Sequence, residues 1–227
     1  IDPKADDSLG RFLKAMALST NAYLEEKNGA YNIVGDTTEG ALLVAAQKVG
    51  WTREQLEEDL PRINEFPFSS ERKAMTTVHD LLGDEAKRLF DTEDFISITK
   101  GAPDKLIGWA IEEHTPEGRI DLTAERRQEW QNHVDMMAKQ GLRVIGVAYR
   151  PLSEAPQTEL DDDIERELVL LGLVGIVDPA RPEAKEAVKT ARSAGIRSIM
   201  ITGDHALTAE AIARNLGIIE EGQKAIT

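Results

Sequence analysis

The chain has 227 residues, of which 41% are hydrophobic and 30% are charged, the balance of an ordinary globular protein with ample capacity for a core. Its 27 Lys and Arg against 41 Asp and Glu give a formal net charge of -14, which argues against nucleic acid as a partner. It has no Cys, so disulfides and thiolate chemistry are excluded. No apolar run approaches the ~20 residues that a membrane-spanning helix needs.

Three helices are predicted at the start of the chain. Apolar residues at helical spacing indicate the first one: Leu9, Phe12, Leu13 and Met16. A second helix is predicted from about Thr38 and ends before Gly50. Thr52 and Gln55 have the spacing of a capping box, which predicts the start of a third helix.

The middle of the chain is predicted to be mainly β. Runs rich in β-formers at 75–78, 95–99 and 143–149 indicate strands. Between the last two, the spacing predicts a helix over 123–140 that Gly141 ends. The simplest architecture for residues 1 to about 160 is therefore an antiparallel sheet with inserted helices.

The texture of the sequence changes after a stretch rich in Pro, Glu and Asp at 152–167, which is predicted to be a linker or exposed loop. Apolar runs at 168–177 and 196–201 are typical of strands buried on both faces. Helical patterns follow each of them, at 182–194 and 208–216. This order of strand, helix, strand and helix predicts parallel βαβ folding.

Polar residues end both of these predicted strands. Asp178 follows the first, and Thr202, Gly203 and Asp204 follow the second. These residues could cap the helices that follow, or they could hold the oxygens of a phosphoryl group. Because polar residues end both strands, a functional site is favoured over caps. A phosphoryl-transfer enzyme also needs a nucleophilic carboxylate at a strand end, and the acidic run at 161–163 follows no apolar strand.

Four blocks occur in the order known from one protein family: "GDTTEGALL" at 35–43, "FPFSSERKAMTTV" at 66–78, "TKGAPDKL" at 99–106, and the DPxR and TGD motifs within 178–218. The resemblance that they carry extends over nearly the whole chain. The sequence resembles the cytoplasmic part of P-type cation-transporting ATPases, and the wording of the blocks is similar to that of the calcium-pump subgroup.

The resemblance implies a nucleotide site. Phe68 matches the aromatic residue that stacks on adenine, although by itself it reads equally as a core residue. Lys100 matches a lysine that lines the pocket, and Gly101 beside it would allow close backbone approach to a ligand. Both residues follow the predicted strand at 95–99.

Three more residues complete the implied site. Lys73 matches a basic pocket residue, Glu39 an acid on the adenine side, and Arg143 an arginine that reaches the phosphates. Glu39 has an alternative role at the N-terminal dipole of its helix. Ser70 departs from the pattern, because calcium pumps often have Arg there, so one phosphate contact of the family is not expected here.

The resemblance also implies the domain plan. Residues 1–177 are expected to form an α+β nucleotide-binding domain that lacks its first strands. Residues 178–227 are expected to form a partial α/β, Rossmann-like phosphorylation-domain segment of the haloacid-dehalogenase type, entered through a hinge at Asp178, Pro179 and Arg181. The family's DKTGT motif and its phosphorylated Asp are absent, so Thr202, Gly203 and Asp204 would only support catalysis, and no metal site is expected.

The leading hypothesis is an ATP-binding piece of a longer cation pump, with calcium as the expected ion. The longer protein would use ATP and Mg²⁺ and lie in a membrane with this segment on the cytoplasmic side. Its partners would be its own remaining phosphorylation, actuator and transmembrane domains, while the piece alone would bind ATP weakly without hydrolysing it. The alternatives are a haloacid-dehalogenase-class phosphatase and an interaction domain without a ligand. The four histidines are not in ligand spacing, which disfavours a metal-binding protein.

Overall fold

The computed structural model of the chain describes residues 7–27, 30–92, 94–156, 162–177, 181–202, 206–220 and 222–224. The chain divides into two compact units. The first comprises Ile1–Gln128 and Ile145–Val174, and the second Glu129–Val144 and Gly175–Thr227. None of the described helices is long and apolar enough to cross a membrane.

The described strands are β1 (Tyr23–Lys27), β2 (Ala30–Val34), β3 (Arg62–Ser69), β4 (Ala74–Asp80), β5 (Phe95–Gly101), β6 (Ala110–Thr115), β7 (Gly118–Asp121), β8 (Arg143–Leu152) and β9 (Leu168–Ile176). The described α-helices are α1 (Asp7–Leu18), α2 (Thr37–Gln47), α3 (Arg53–Asp59), α4 (Asp84–Phe90), α5 (Pro103–Trp109), α6 (Ala124–Lys139), α7 (Pro182–Ser193) and α8 (Ala206–Leu216). A 3-10 helix spans Asp162–Glu165.

Seven strands form one sheet in the order β3-β4-β5-β8-β9-β6-β7, and β1 and β2 form a separate hairpin. Strands β3, β4, β5 and β8 pair antiparallel, as predicted. The sheet as a whole is nevertheless mixed, because β9 lies beside β8 and pairs parallel with β6. The architecture is α+β, and the purely antiparallel sheet that the sequence suggested is wrong.

The three helices predicted at the start of the chain are confirmed. Helix α1 contacts α2, α3 and α4 and buries its apolar stripe, including Leu13 and Met16. The side chain of Asp36 accepts a hydrogen bond from the Glu39 N–H and caps α2. The capping box of α3 is formed as predicted, with both reciprocal bonds between Thr52 and Gln55.

Arginines from other elements cap two short helices of the first unit at their C-terminal ends. Arg11, which is buried in α1, donates through Nε to the carbonyl of Leu89 in α4. Arg127 of α6 donates to the carbonyl of Ile107 in α5. The last carbonyls of a helix lack partners within the helix and carry its negative partial charge, so a guanidinium satisfies both needs.

The stretch at 152–167 is not simply a linker. In its described part, Ile164 and Glu165 are only 8% and 1% exposed. The sequence suggested an exposed loop because this stretch is acidic and rich in Pro. That prediction is wrong for the 3-10 helix, because the Glu165 carboxylate accepts hydrogen bonds from Arg72 and from the buried Thr76, which compensate for its loss of water.

The second unit contains α7 and α8, which contact one another. Gly195 and Gly217 follow them with φ of +76°, a conformation that favours glycine, so each helix ends where the sequence predicted. Ala184, Val188 and Ala191 on α7 are half-buried, whereas Ala187, also predicted to face inward, is exposed.

The predicted buried strand at 196–201 is not formed. These residues have no regular secondary structure, and Ile196, Ile199 and Ile201 are 61%, 77% and 94% exposed. A strand needs neighbours to pair its backbone groups, and the described residues of the second unit supply none to this segment. The structure therefore does not show the haloacid-dehalogenase-type segment.

Candidate functional site

Lys100 is the centre of a buried polar cluster in the first unit. It is the penultimate residue of β5 and is only 7% exposed. Its Nζ donates to Glu39 Oε1 at 2.6 Å, to Met75 Sδ at 3.3 Å and to the carbonyl oxygen of Ser19. An ammonium group has three protons, so these partners match its full donor capacity.

Glu39 holds the other side of this cluster. It lies in the first turn of α2, and its second carboxylate oxygen accepts from the backbone N–H groups of Asn21 at 2.7 Å and Ala22 at 2.9 Å. Its carboxylate therefore binds Lys100 and the chain after α1 together. Glu39 therefore does more than interact with the dipole of its own helix, which was the alternative.

Burial and charge oppose one another in this pair. Burial lowers the pKa of Lys100, although the carboxylate of Glu39 works in the opposite direction. Burial alone would raise the pKa of Glu39, but the charge and hydrogen bond of Lys100 and the two backbone donors outweigh it, so the pKa of Glu39 is lowered. Each group thus keeps the other charged in a place that disfavours an isolated charge.

Gly101 permits a close approach of two strands. A Cβ on this residue would lie 2.4 Å from the carbonyl oxygen of Lys73 and 2.8 Å from Cα of Ala74. The same Lys73 oxygen accepts from the N–H of Ala102 at 2.9 Å. The neighbour that requires glycine here is the start of β4, whereas the sequence suggested a ligand.

Phe68 and Lys73 flank the turn between β3 and β4. Phe68 is 62% exposed, which excludes the alternative of a core phenylalanine. Lys73 is exposed and has φ of +58°, a conformation that residues with side chains rarely adopt. The register of β3 shifts between Phe66 and Ser69 at this point.

The strand register brings these residues to one end of the sheet. Ala74 of β4 pairs with Ser69 on one side and with Gly101 on the other. Neighbouring strands are ~4.8 Å apart, so the backbones of β3 and β5 lie about 10 Å apart at this level. The exposed Phe68 and Lys73 therefore lie near the strand end that carries Lys100.

A second layer that the sequence did not indicate lies behind the Lys100 cluster. Arg62 donates to Asn21 Oδ1 at 2.6 Å and to the carbonyl of Leu18 at 2.7 Å. Asn21 in turn donates to Glu65 Oε1 at 2.8 Å. These contacts and that of Lys100 satisfy the C-terminal end of α1, which has no basic residue in its own last turn. The two residues of each contact are at least 41 positions apart in sequence, so no local pattern indicated them.

The remaining predicted site residues belong to the second unit or lie outside the described residues. Arg143 is exposed at the first residue of β8, Arg181 is exposed at the N-cap of α7, and Thr202 is exposed. The roles given to these three stay predictions. Four further residues lie outside the described part of the chain: Asp178, Pro179, Gly203 and Asp204.

Exposed and charged groups of several kinds meet at this end of the sheet. Among the described residues, no group of three or more His, Asp or Glu side chains is placed to hold a metal. The sheet end instead offers an exposed aromatic ring at Phe68, an exposed ammonium at Lys73, and the charged pair of Lys100 and Glu39. A ring for stacking with cations nearby suits a base that carries phosphates.

Known proteins with similar sequences are ion-transporting ATPases by name. The chain is 41% identical over 208 residues to a calcium-transporting ATPase of Bacillus subtilis (strain 168), a match that covers 92% of the chain and 22% of that protein. It is 36% identical over 225 residues to calcium-transporting ATPase 1 of Lactococcus lactis, covering 99% of the chain and 24% of that protein. The cation-transporting ATPase pma1 of Synechocystis is 37% identical over 205 residues, which are 90% of the chain and 21% of that protein.

The chain thus spans between a fifth and a quarter of the length of these relatives. A sequence profile of the P-type ATPase cytoplasmic domain N matches residues 8–183. This range contains β1 to β9 and the Lys100 cluster. On these grounds, the chain belongs to the family of P-type ATPase cytoplasmic N domains.

Proposed function

We propose that the first unit binds ATP at the end of the sheet where β3, β4 and β5 meet. The observation that carries the proposal is the ion pair of the buried Lys100 with the half-buried Glu39, at the strand end that also presents Phe68 and Lys73. Family membership supports ATP as the ligand, since the relatives are named ATPases.

Each side chain has a separate task in this proposal. Phe68 stacks on the adenine ring, an interaction of about 1–3 kcal/mol. Lys73, which is exposed, supplies positive charge for the phosphates. The pair of Lys100 and Glu39 forms the wall of the pocket, and Gly101 lets β4 and β5 meet there.

The longer protein that we propose is a cation pump, with calcium as the ion that the names of two relatives carry. In it, the terminal phosphate of ATP passes to an Asp outside these residues, and Mg²⁺ neutralises charge during the transfer. Thr202, Gly203 and Asp204 support that step, and Asp178, Pro179 and Arg181 form the hinge between the domains. The pump lies in a membrane, its cytoplasmic side carries this segment, and its other domains are the partners of the chain.

The chain by itself is proposed to bind ATP weakly and not to hydrolyse it, since the phosphorylated Asp is absent. Titration calorimetry with ATP tests the binding, and phosphate release tests the inactivity. Loss of the Phe68 ring in Phe68→Ala should weaken binding by about fivefold or more. The matched control is Leu82→Ala, because Leu82 is also 62% exposed. Lys27→Ala is the control for Lys73→Ala, because Lys27 is exposed as well.

Two results would contradict the proposal. One is no heat of binding at millimolar ATP with the wild-type chain. The other is binding that Phe68→Ala and Leu82→Ala leave equally unchanged. We rank the phosphatase below this function because the sequence has no apolar strand that ends in a DxD motif. An interaction domain without a ligand is distinguished by the same ATP titration.

A further inference from the structure

A second buried ion pair lies beside the proposed site, on the other face of the sheet. Glu165, in the 3-10 helix, has a side chain that is 2% exposed, and it accepts a hydrogen bond from Arg72 Nη1. Arg72 lies in the turn between β3 and β4, 93 residues earlier in the chain. The pair therefore joins this turn to a segment that the sequence indicated as a linker.

Arg72 also contacts β3, the strand that enters the turn. Its Cζ lies 3.6 Å from the centre of the Phe66 ring, and its Nη2 donates to the carbonyl of Pro67. The hydroxyl of Ser69 accepts from the N–H of Glu71 at 3.2 Å. The guanidinium thus contacts both β3 and the distant Glu165. In sequence, Arg72 lies between Phe68 and Lys73.

The contacts of Glu165 continue into the sheet. Thr76 Oγ1 donates to Glu165 Oε1 at 3.0 Å, and the hydroxyls of Thr76 and Thr99 lie 2.9 Å apart. All three residues are buried. Successive residues of a strand point to opposite faces, so Thr99 and its neighbour Lys100 lie on opposite sides of β5. The Glu165 cluster therefore supports the same end of the sheet from behind.

We propose that Arg72 and Glu165 are positioning residues for the nucleotide site: their ion pair holds the β3–β4 turn in the conformation that presents Phe68 and Lys73. This inference rests on the proposed function for its consequence in ATP binding. Its structural half, the anchoring of the turn, concerns the chain without any ligand.

The turn needs such an anchor. The register of β3 shifts just before it, and Lys73 has a positive φ that ladder hydrogen bonds alone do not favour. A conformation of this kind persists where surrounding contacts determine it. A buried carboxylate with a guanidinium and a hydroxyl as donors gives a fixed point, because separating the pair would leave a charge without water.

The test without ligand is amide hydrogen exchange of the 227-residue chain. Glu165→Gln keeps the shape of the side chain and removes its charge, and exchange at residues 69–73 should become about tenfold faster. The matched control is Glu113→Gln, since the Glu113 side chain is also 2% exposed and ion-paired with Arg126, but lies on β6, five strands from β3. Arg72→Lys is the milder second variant, and it should accelerate exchange at the same residues to a smaller extent.

Equal exchange at 69–73 in Glu165→Gln and Glu113→Gln would overturn the inference, as would an increase spread evenly over the first unit. ATP binding gives the second readout. Glu165→Gln should weaken it about fivefold in the wild-type background and by less than twofold in the Phe68→Ala background. A purely structural loss would weaken both backgrounds alike and overturn the positioning role.

The two proposals fail in different ways. If the wild-type chain does not bind ATP, the proposed function fails, while the exchange experiment still decides whether the ion pair holds the turn. If ATP binds and Phe68→Ala weakens it, but Glu165→Gln changes neither exchange nor binding, the positioning role fails alone.

Discussion

The two units of the chain differ in which side chains they bury. In the first unit even charged side chains are buried with partners, as Lys100 is with Glu39 and Glu165 with Arg72. In the second unit, side chains as apolar as Ile199 and Ile201 are 77% and 94% exposed. Sequence hydrophobicity therefore does not by itself decide burial in this chain; the availability of partners does.

The difference has a simple physical origin. The apolar run at 168–176 forms β9, which lies between β8 and β6 in the sheet. Its residues Leu168, Val169 and Leu170 are buried. The equally apolar run at 196–201 has no strand beside it among the described residues of its unit. A strand satisfies its backbone only through neighbours, so the same pattern gives two outcomes.

The largest expected effect tests the burial of charge in the first unit. Lys100→Met removes the counter-ion of Glu39 and should lower the free energy of unfolding by about 3–5 kcal/mol. The double variant Lys100→Met with Glu39→Leu should cost less than the single one, because no buried charge is left alone. Lys48→Met is the control, since Lys48 is exposed.

Urea unfolding followed by tryptophan fluorescence measures these changes. Trp51 and Trp109 lie in the first unit and Trp130 in the second, so a Trp130→Phe background reports the first unit alone. A loss of less than 1 kcal/mol for Lys100→Met would show that the pair is not buried in solution.

The next effect concerns pH. His79 is fully buried, with Nδ1 2.9 Å from the Leu60 carbonyl and Nε2 2.9 Å from Thr77 Oγ1, and burial lowers its pKa from 6.5 to about 4. Between pH 6.5 and about 4, the imidazole of His79 binds a proton in the unfolded chain but not in the folded chain. The stability that the protein has above pH 6.5 should therefore be lost as the pH falls to about 4. The loss amounts to at most about 3 kcal/mol.

Unfolding free energies between pH 4 and pH 8 check this expectation. His79→Gln should make the dependence shallower, although it lowers stability at neutral pH. Part of the dependence remains, because burial also lowers the pKa of His114 to about 4. Replacement of the exposed His133 by Gln should leave the wild-type curve unchanged. A His79→Gln curve parallel to that of the wild type would show that His79 does not titrate as proposed.

Two glycines of the first unit should respond with opposite signs. Gly101→Ala should destabilise by about 2 kcal/mol, because its Cβ would lie 2.4 Å from the Lys73 carbonyl oxygen. Gly108 in α5 has nothing within 4 Å of an added Cβ, so Gly108→Ala should stabilise by about 0.5–1 kcal/mol. Thermal unfolding of both variants measures the difference, and a neutral Gly101→Ala would mean that β4 and β5 are further apart than described.

The smallest effect belongs to the second unit. Ile201→Thr changes a side chain that is 94% exposed, and the free energy of unfolding should stay within about 0.5 kcal/mol. Fluorescence of Trp130, with Trp51 and Trp109 replaced by Phe, reports this unit. A loss above 1 kcal/mol would remove the contrast between the units, because it would require that Ile201 is buried.

Local patterns predicted the elements whose causes are local. The capping box at Thr52, the apolar stripe of α1 and the β-rich runs of β4, β5 and β8 all occur as the sequence indicated. Lys100 and Glu39, which lie in two of the family motifs, are 61 residues apart and in direct contact. Periodicity alone has no means to pair them, and the nucleotide roles that the family resemblance implies for them stay predictions.

Interactions that join distant segments were missed. The parallel pairing of β9 with β6 and the contacts of Glu165 have no signature at the level of a short window. An acidic stretch such as 152–167 is predicted to be exposed to solvent unless its counter-ion is known in advance. The counter-ion of Glu165 is Arg72, which lies 93 residues away in sequence. The same limit applies to 196–201, where the pattern of a strand was present and its neighbours were not.

The claim that the sheet end at β3, β4 and β5 binds ATP is tested most directly by NMR titration of the ¹⁵N-labelled chain with ATP. Amide shifts should move in a saturable way at residues 68–73 and at Lys100 and Gly101, while the amides of β6 and β7 stay in place. Shifts that are absent at millimolar ATP, or confined to residues outside 68–73 and 100–101, would contradict it.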